Sequence, residues 1–123
     1  MLDHVSIGVR DVTASRRFYD GVLAALGYRP LVEGEGHVGY GQDYPEFWVL
    51  QVAAPVSADD RSGLHFCFRA NGPEAVKAFH AAALAAGGTC NGAPGPRPDY
   101  GPTYYAGFVK DPEGYRLEAH CAA

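Results

Sequence analysis

Residues 2–9 carry Leu2, Val5, Ile7 and Val9 as apolar positions, with His4, Ser6 and Gly8 between them. That is the two-residue period of a half-buried strand. Asp11 suits the N-cap of a helix running from about 12 to 26, with Phe18, Val22, Ala25 and Leu26 as its apolar stripe and Gly27 just past its end. Short strands are predicted near 28–32 and 37–40, then a turn at 42–45 and a strong strand at 46–53. Residues 54–62 are polar and turn-rich and read as a linker. The series then restarts. Residues 64–70 alternate Leu64, Phe66 and Phe68 against His65, Cys67 and Arg69. Asn71, Pro73 and Glu74 open a second helix with the stripe Val76, Phe79, Ala83 and Ala86, stopped by Gly87 or Gly88. A Gly/Pro-rich loop is expected over 91–102, followed by strands at about 103–110 and 115–121 around the hairpin turn Asp111-Pro112-Glu113-Gly114.

The restart is an internal repeat. One shift of 61 residues carries His4 to His65, Phe18 to Phe79, Leu23 to Leu84 and Gly27 to Gly88. At the end of each half, Pro45–Gln51 matches Pro112–Glu118 at a shift of 67. The expected organisation is one domain over 1–123, with module one at about 1–54, a linker at 55–62 and module two at about 63–123. The predicted class is α+β, two tandem βαβββ modules.

Composition narrows the function classes. Ten basic and 14 acidic residues give a net charge of −4 with no basic block, which argues against nucleic acid or an anionic membrane as partner. No apolar run approaches the roughly 20 residues of a membrane span. Cys67, Cys90 and Cys121 form no CxxC pair and are odd in number, which favours a reduced, cytoplasmic protein. Eight tyrosines, among them Tyr40, Tyr44, Tyr100, Tyr104 and Tyr105, are either cavity-lining groups or ordinary strand residues.

The repeat also brings chemistry together. Two modules about a pseudo-twofold axis make His4 and His65 equivalent, and likewise Gln51 and Glu118. Alternation puts His4 and Glu118 opposite the apolar faces that the helices cover. Two imidazoles and a carboxylate around one concavity suit a divalent first-row metal, whereas each histidine alone would be read as a structural strand residue. Gln51 is a weaker, neutral donor. Cys67 is expected to be a small buried residue, His80 a surface residue and His120 part of a frayed end. Gly34–Gly39 matches GxGxxG, but no helix follows, so the match is accidental. Residues 91–102, with Arg97, Asp99 and Tyr100, are expected to form a lid or a solvated connector.

The strand with His4, the run FYDGVLAALGY at Phe18–Tyr28, His65 and the terminal DPEGYRLE at Asp111–Glu118 together resemble the glyoxalase / bleomycin resistance / extradiol dioxygenase superfamily over essentially the whole chain. The resemblance implies a U-shaped mixed sheet around one divalent transition metal (Ni, Co, Zn, Mn or Fe) held by His4, His65 and Glu118, with Gln51 at the fourth position. It implies an enzyme of lyase or isomerase type, or an Fe(II) dioxygenase, in which Glu118 also acts as a base on a small oxygen-chelating substrate. The rival is a non-catalytic protein that sequesters a small molecule. Tyr40, Arg69, Arg97, Tyr100 and Tyr104 are the expected pocket residues, and a homodimer the expected assembly.

Overall fold

The computed structural model describes residues 1–123. Module one runs β1 (Val5–Val9), α1 (Val12–Ala24), β2 (Arg29–Gly34), β3 (His37–Gly41) and β4 (Phe47–Gln51). Module two runs β5 (His65–Arg69), α2 (Pro73–Ala85), β6 (Thr89–Pro96), β7 (Tyr104–Lys110) and β8 (Arg116–Ala122). Each module is a four-stranded mixed sheet, in the orders β1-β4-β3-β2 and β5-β8-β7-β6. In each, the first strand pairs in parallel with the last, and the other neighbours are antiparallel. No strand pairing joins the two sheets, so β1 and β5 each keep a free edge.

Both helices begin and end as their sequences dictate. The Asp11 carboxylate accepts from the Thr13 and Ala14 backbone N–H groups at 3.0 and 3.1 Å, satisfying donors that a helix start leaves free. Pro73 opens α2, where its missing N–H is no loss. After the helices, Gly27 and Gly87 take φ of +86° and +93°, which returns the Tyr28 and Gly88 N–H groups to the Leu23 and Ala83 carbonyls. The left-handed position after α2 is thus Gly87, one residue before the repeat mate of Gly27.

The helices face each other, and their stripes meet the apolar faces of both sheets in one core of 21 residues. Phe47 of β4 packs edge-on to Phe66 and Phe68 of β5, and Phe18 of α1 packs edge-on to Tyr19. A polar clamp reinforces the junction. The Asp111 carboxylate accepts from the buried Tyr19 hydroxyl at 2.6 Å and from the N–H groups of Glu113 and Tyr115 at 2.9 Å each. Glu113 in turn accepts from the N–H groups of Arg10 and Asp11, and the Tyr115 hydroxyl donates to the Gly8 carbonyl at 2.7 Å. The β7–β8 turn of module two therefore grips the β1–α1 corner of module one.

One expectation needs correction here, and one is met. Residues 91–102 are not a free loop: β6 continues to Pro96 with register shifts at Cys90/Gly92 and Gly92/Gly95. An edge strand tolerates Pro94 and Pro96 because its outer N–H positions have no ladder to complete. Gly34–Gly39 lies in the β2–β3 hairpin and has no helix behind it.

Candidate active site

The open face of module two carries the chemistry. Leu117, Ala119 and Cys121 of β8 enter the core, so Arg116, Glu118 and His120 project from the opposite face. Register then sets their neighbours. Glu118 lies between Phe108 of β7 and Cys67 of β5; Arg116 lies between Lys110 and His65; His120 lies between Ala106 and Arg69.

Glu118 is the centre of this face. It is only 3% exposed, and both carboxylate oxygens are engaged. His65 Nε2 sits 2.9 Å from Oε2, and the Tyr104 hydroxyl donates to Oε1 at 2.5 Å. Tyr104 gets there by lying flat on the His120 imidazole, with 3.8 Å between ring centroids. Desolvation first, then the Glu118 hydrogen bond, hold the Tyr104 phenol well above its ordinary range, so it remains a proton donor. Desolvation by neighbouring groups and then the Glu118 charge push the Cys67 thiol up to about 12. That shift favours the neutral thiol at Cys67. Cys67 is also exposed, not buried as expected, because it shares the open face with His65. His120 is half-buried within β8 and is not a frayed end.

The other expected residues are distributed differently. His4 lies just before β1, is 55% exposed and is bonded through Nδ1 to Asp3 at 2.7 Å. It shares with His65 a groove of about 560 Å³ between the modules, to which Tyr40 and Arg69 also belong. Tyr40 is 1% exposed and spends its hydroxyl on Asp20 at 2.7 Å, so it serves the core more than a pocket. Arg97 and Tyr100 line a separate pocket of about 400 Å³ that adjoins His65. Half-buried His80 contacts the Cys90 sulfur at 3.1 Å, away from this face.

Gln51 is not brought to His65 and Glu118. It lies on the face of Phe47 and Val49, and its Oε1 accepts from the Val12 N–H at 3.2 Å, at the start of α1. Strand register explains why. Val5 pairs with Phe47, and its repeat mate Phe66 (66 − 5 = 61) pairs with Leu117, so the last strands correspond at 117 − 47 = 70. The counterpart of Glu118 is then Trp48 (118 − 70 = 48), and the two modules do not present equivalent donors. The turn sequences align at a shift of 67, but pairing with the first strand decides the face.

Whether these residues suit a metal ion turns on the donors. His65 Nε2 and Glu118 Oε2, hydrogen-bonded to each other at 2.9 Å, are a nitrogen and an oxygen donor of the types that a divalent transition ion takes. No group of three or more His, Cys, Asp or Glu side chains converges within the chain. The chain thus presents two fitting donors at one point, with His4 on the rim of the adjoining groove.

The fold has solved relatives. A glyoxalase/bleomycin resistance protein from Albidiferax ferrireducens is 34% identical, with 98% of each chain covered and a TM-score of 0.85. A glyoxalase-related enzyme from Fulvimarina pelagi is 20% identical, over 98% of this chain and 86% of that one, with a TM-score of 0.75. A fosfomycin resistance protein from Mesorhizobium loti is 18% identical, over 100% and 92%, with a TM-score of 0.71. No curated protein matches the sequence. The family model for the Glyoxalase/Bleomycin resistance protein/Dioxygenase superfamily matches residues 1–119. With the paired βαβββ modules and the match over nearly its whole length, the chain belongs to the glyoxalase/bleomycin resistance protein/dioxygenase superfamily.

Proposed function

We propose that this protein is a metal-dependent enzyme acting on a small oxygen-chelating substrate over the open face of module two. The observation that carries the proposal is the sequestered Glu118 carboxylate, bracketed by His65 and Tyr104 beside an open pocket. His65 and Glu118 would hold a divalent transition ion, and His4 would complete the set. The ion supplies Lewis-acid stabilisation of charge on two neighbouring substrate oxygens. Homodimerisation is part of the proposal, because a second copy offers a route for His4 to reach a His65–Glu118 pair. Location in the cytoplasm is supported by three free cysteines.

The chain's own groups divide the work. Tyr104 fixes Oε1 of Glu118 and keeps its proton, which leaves Oε2 to bind the ion or, once it leaves the ion, to accept a substrate proton. Without the ion, His65 Nε2 holds Oε2 at 2.9 Å. Such positioned proton transfer contributes on the order of 10²–10⁴ in rate. It suits isomerase or lyase chemistry next to an oxygen-bearing carbon. The sequestering alternative draws support from the pocket's aromatic lining, Tyr100 and Phe108.

The test is reconstitution with Ni, Co, Zn, Mn and Fe, elemental analysis, and a substrate screen with the loaded protein. About one retained ion per Glu118, and turnover lost in Glu118→Gln with the fold intact, are expected. Retention of no metal with any of the five, with tight binding of an aromatic ligand and no turnover, would replace the enzyme by the sequestering protein.

A further inference from the structure

We infer that Arg97 and Arg116 form an anion subsite beside Glu118, which recognises a carboxylate or phosphoryl group on the substrate. The inference rests on the site proposed above and adds the chemical class of what it takes. The two guanidiniums line the pocket of about 400 Å³ together with His65, Asn91, Tyr100 and Phe108, and no acidic side chain lines it. Neither arginine has a carboxylate within ion-pair distance. Asp60, whose carboxyl feels Arg116, is itself paired with Lys110 at 2.8 Å. In a chain of net charge −4, two uncompensated guanidiniums in one concavity are a local reversal of sign.

Both guanidiniums are held in place by contacts that leave their charge unspent. Arg97 donates to the carbonyls of Ala93 and Pro96 at 2.6 and 3.2 Å and lies 5.3 Å from the Phe108 ring centroid. Arg116 donates through Nε to the Leu64 carbonyl at 3.2 Å. Guanidiniums fixed this way lose little freedom on taking an oxyanion, and their planar N–H forks match its geometry. Arg116 stands two residues from Glu118 on the same strand face, with roughly 7 Å between their Cα atoms, and His65, which contacts Glu118, lines the same pocket. That adjacency fits a small substrate with its charged end close to its reacting carbon. The repeat mate of Arg116 in module one is Glu46 (116 − 70 = 46), so this charge is confined to module two.

The experiment titrates the intact protein with inorganic phosphate, with malonate and with uncharged malonamide, following backbone amide shifts by NMR. Saturable shifts confined to Gly92, Arg97, Tyr100 and Arg116 are expected for the two anions and none for malonamide. Tighter binding of phosphate assigns a phosphoryl group, and tighter binding of malonate a carboxylate. Arg97→Gln with Arg116→Gln should weaken either anion by about tenfold or more, the loss of a charge-assisted hydrogen bond. Arg97→Lys with Arg116→Lys, which keeps the charge, should retain more affinity than the Gln pair and serves if the Gln pair does not fold. Shifts spread over the whole surface, equal response to malonamide, or affinity unchanged in the Gln pair would overturn the subsite. Glu118→Gln should still bind the anion, so failure of the catalytic reading and failure of the subsite are read separately.

Discussion

Replacing Asp111 tests whether the polar clamp between the modules is a main support of the fold. Asp111→Ala removes the acceptor of the Tyr19 hydroxyl, which is completely buried and bonded at 2.6 Å. An orphaned buried hydroxyl costs about 1–3 kcal/mol, and each lost bond to the Glu113 and Tyr115 N–H groups about 0.5–1.5 kcal/mol more. Against this, the buried carboxyl is itself unfavourable: desolvation, the largest influence, raises its pKa despite three stabilising hydrogen bonds. The net expectation is a loss of about 2–4 kcal/mol, or a fall in Tm of roughly 10 °C for a chain of this size. Urea unfolding followed by circular dichroism measures it. Tyr19→Phe should be less than additive with Asp111→Ala by about 1 kcal/mol, because the two share one bond. Asp111→Asn keeps an acceptor for the turn and should cost least. It should also change the pH dependence. The native carboxyl holds its proton more tightly than the unfolded chain does, so this group's contribution falls as pH rises from about 3.9 to its raised native value and is flat above that. Asp111→Asn abolishes that decline. A loss below 1 kcal/mol for Asp111→Ala, with strict additivity in the double variant, would refute the clamp.

Other variants probe the site and its frame. Gln51→Ala should weaken metal affinity far less than His65→Ala in a chelator competition, while costing about 1 kcal/mol through the freed Val12 N–H. Equal losses of affinity would make Gln51 a full ligand. Tyr104→Phe leaves Oε1 of Glu118 without its donor, and should cut turnover while moving Tm little; unchanged turnover removes Tyr104 from the mechanism. Gly41→Ala should destabilise by several kcal/mol, because its Cβ would meet the Tyr44 carbonyl oxygen at 1.9 Å, and backbone cannot yield as a side-chain tip does. Thermal unfolding within 1 °C of the parent would contradict that packing.

Local pattern was enough to identify every element except β6, and the module. Alternation in 64–70 and 115–121 places His65, Cys67 and Glu118 on one face, because the strand period is two whatever the strand pairs with. Asp11, Pro73, Gly27 and Gly87 mark helix ends through capping and φ preferences that act within a few residues. What sequence could not supply is long-range register. Only pairing with β1 reveals that Trp48, and not Gln51, stands where Glu118 stands in module two. Residues 91–96 read as loop because Gly and Pro are poor strand formers, yet an edge position accepts them once β7 is beside it. Arg116 was visible as a charge but became a pocket residue only when Arg97, from beyond β6, came to the same concavity. Spacing along a strand is set by covalent geometry and can be read directly; the meeting of side chains from four strands depends on the packing of the whole core, and only the folded chain decides it.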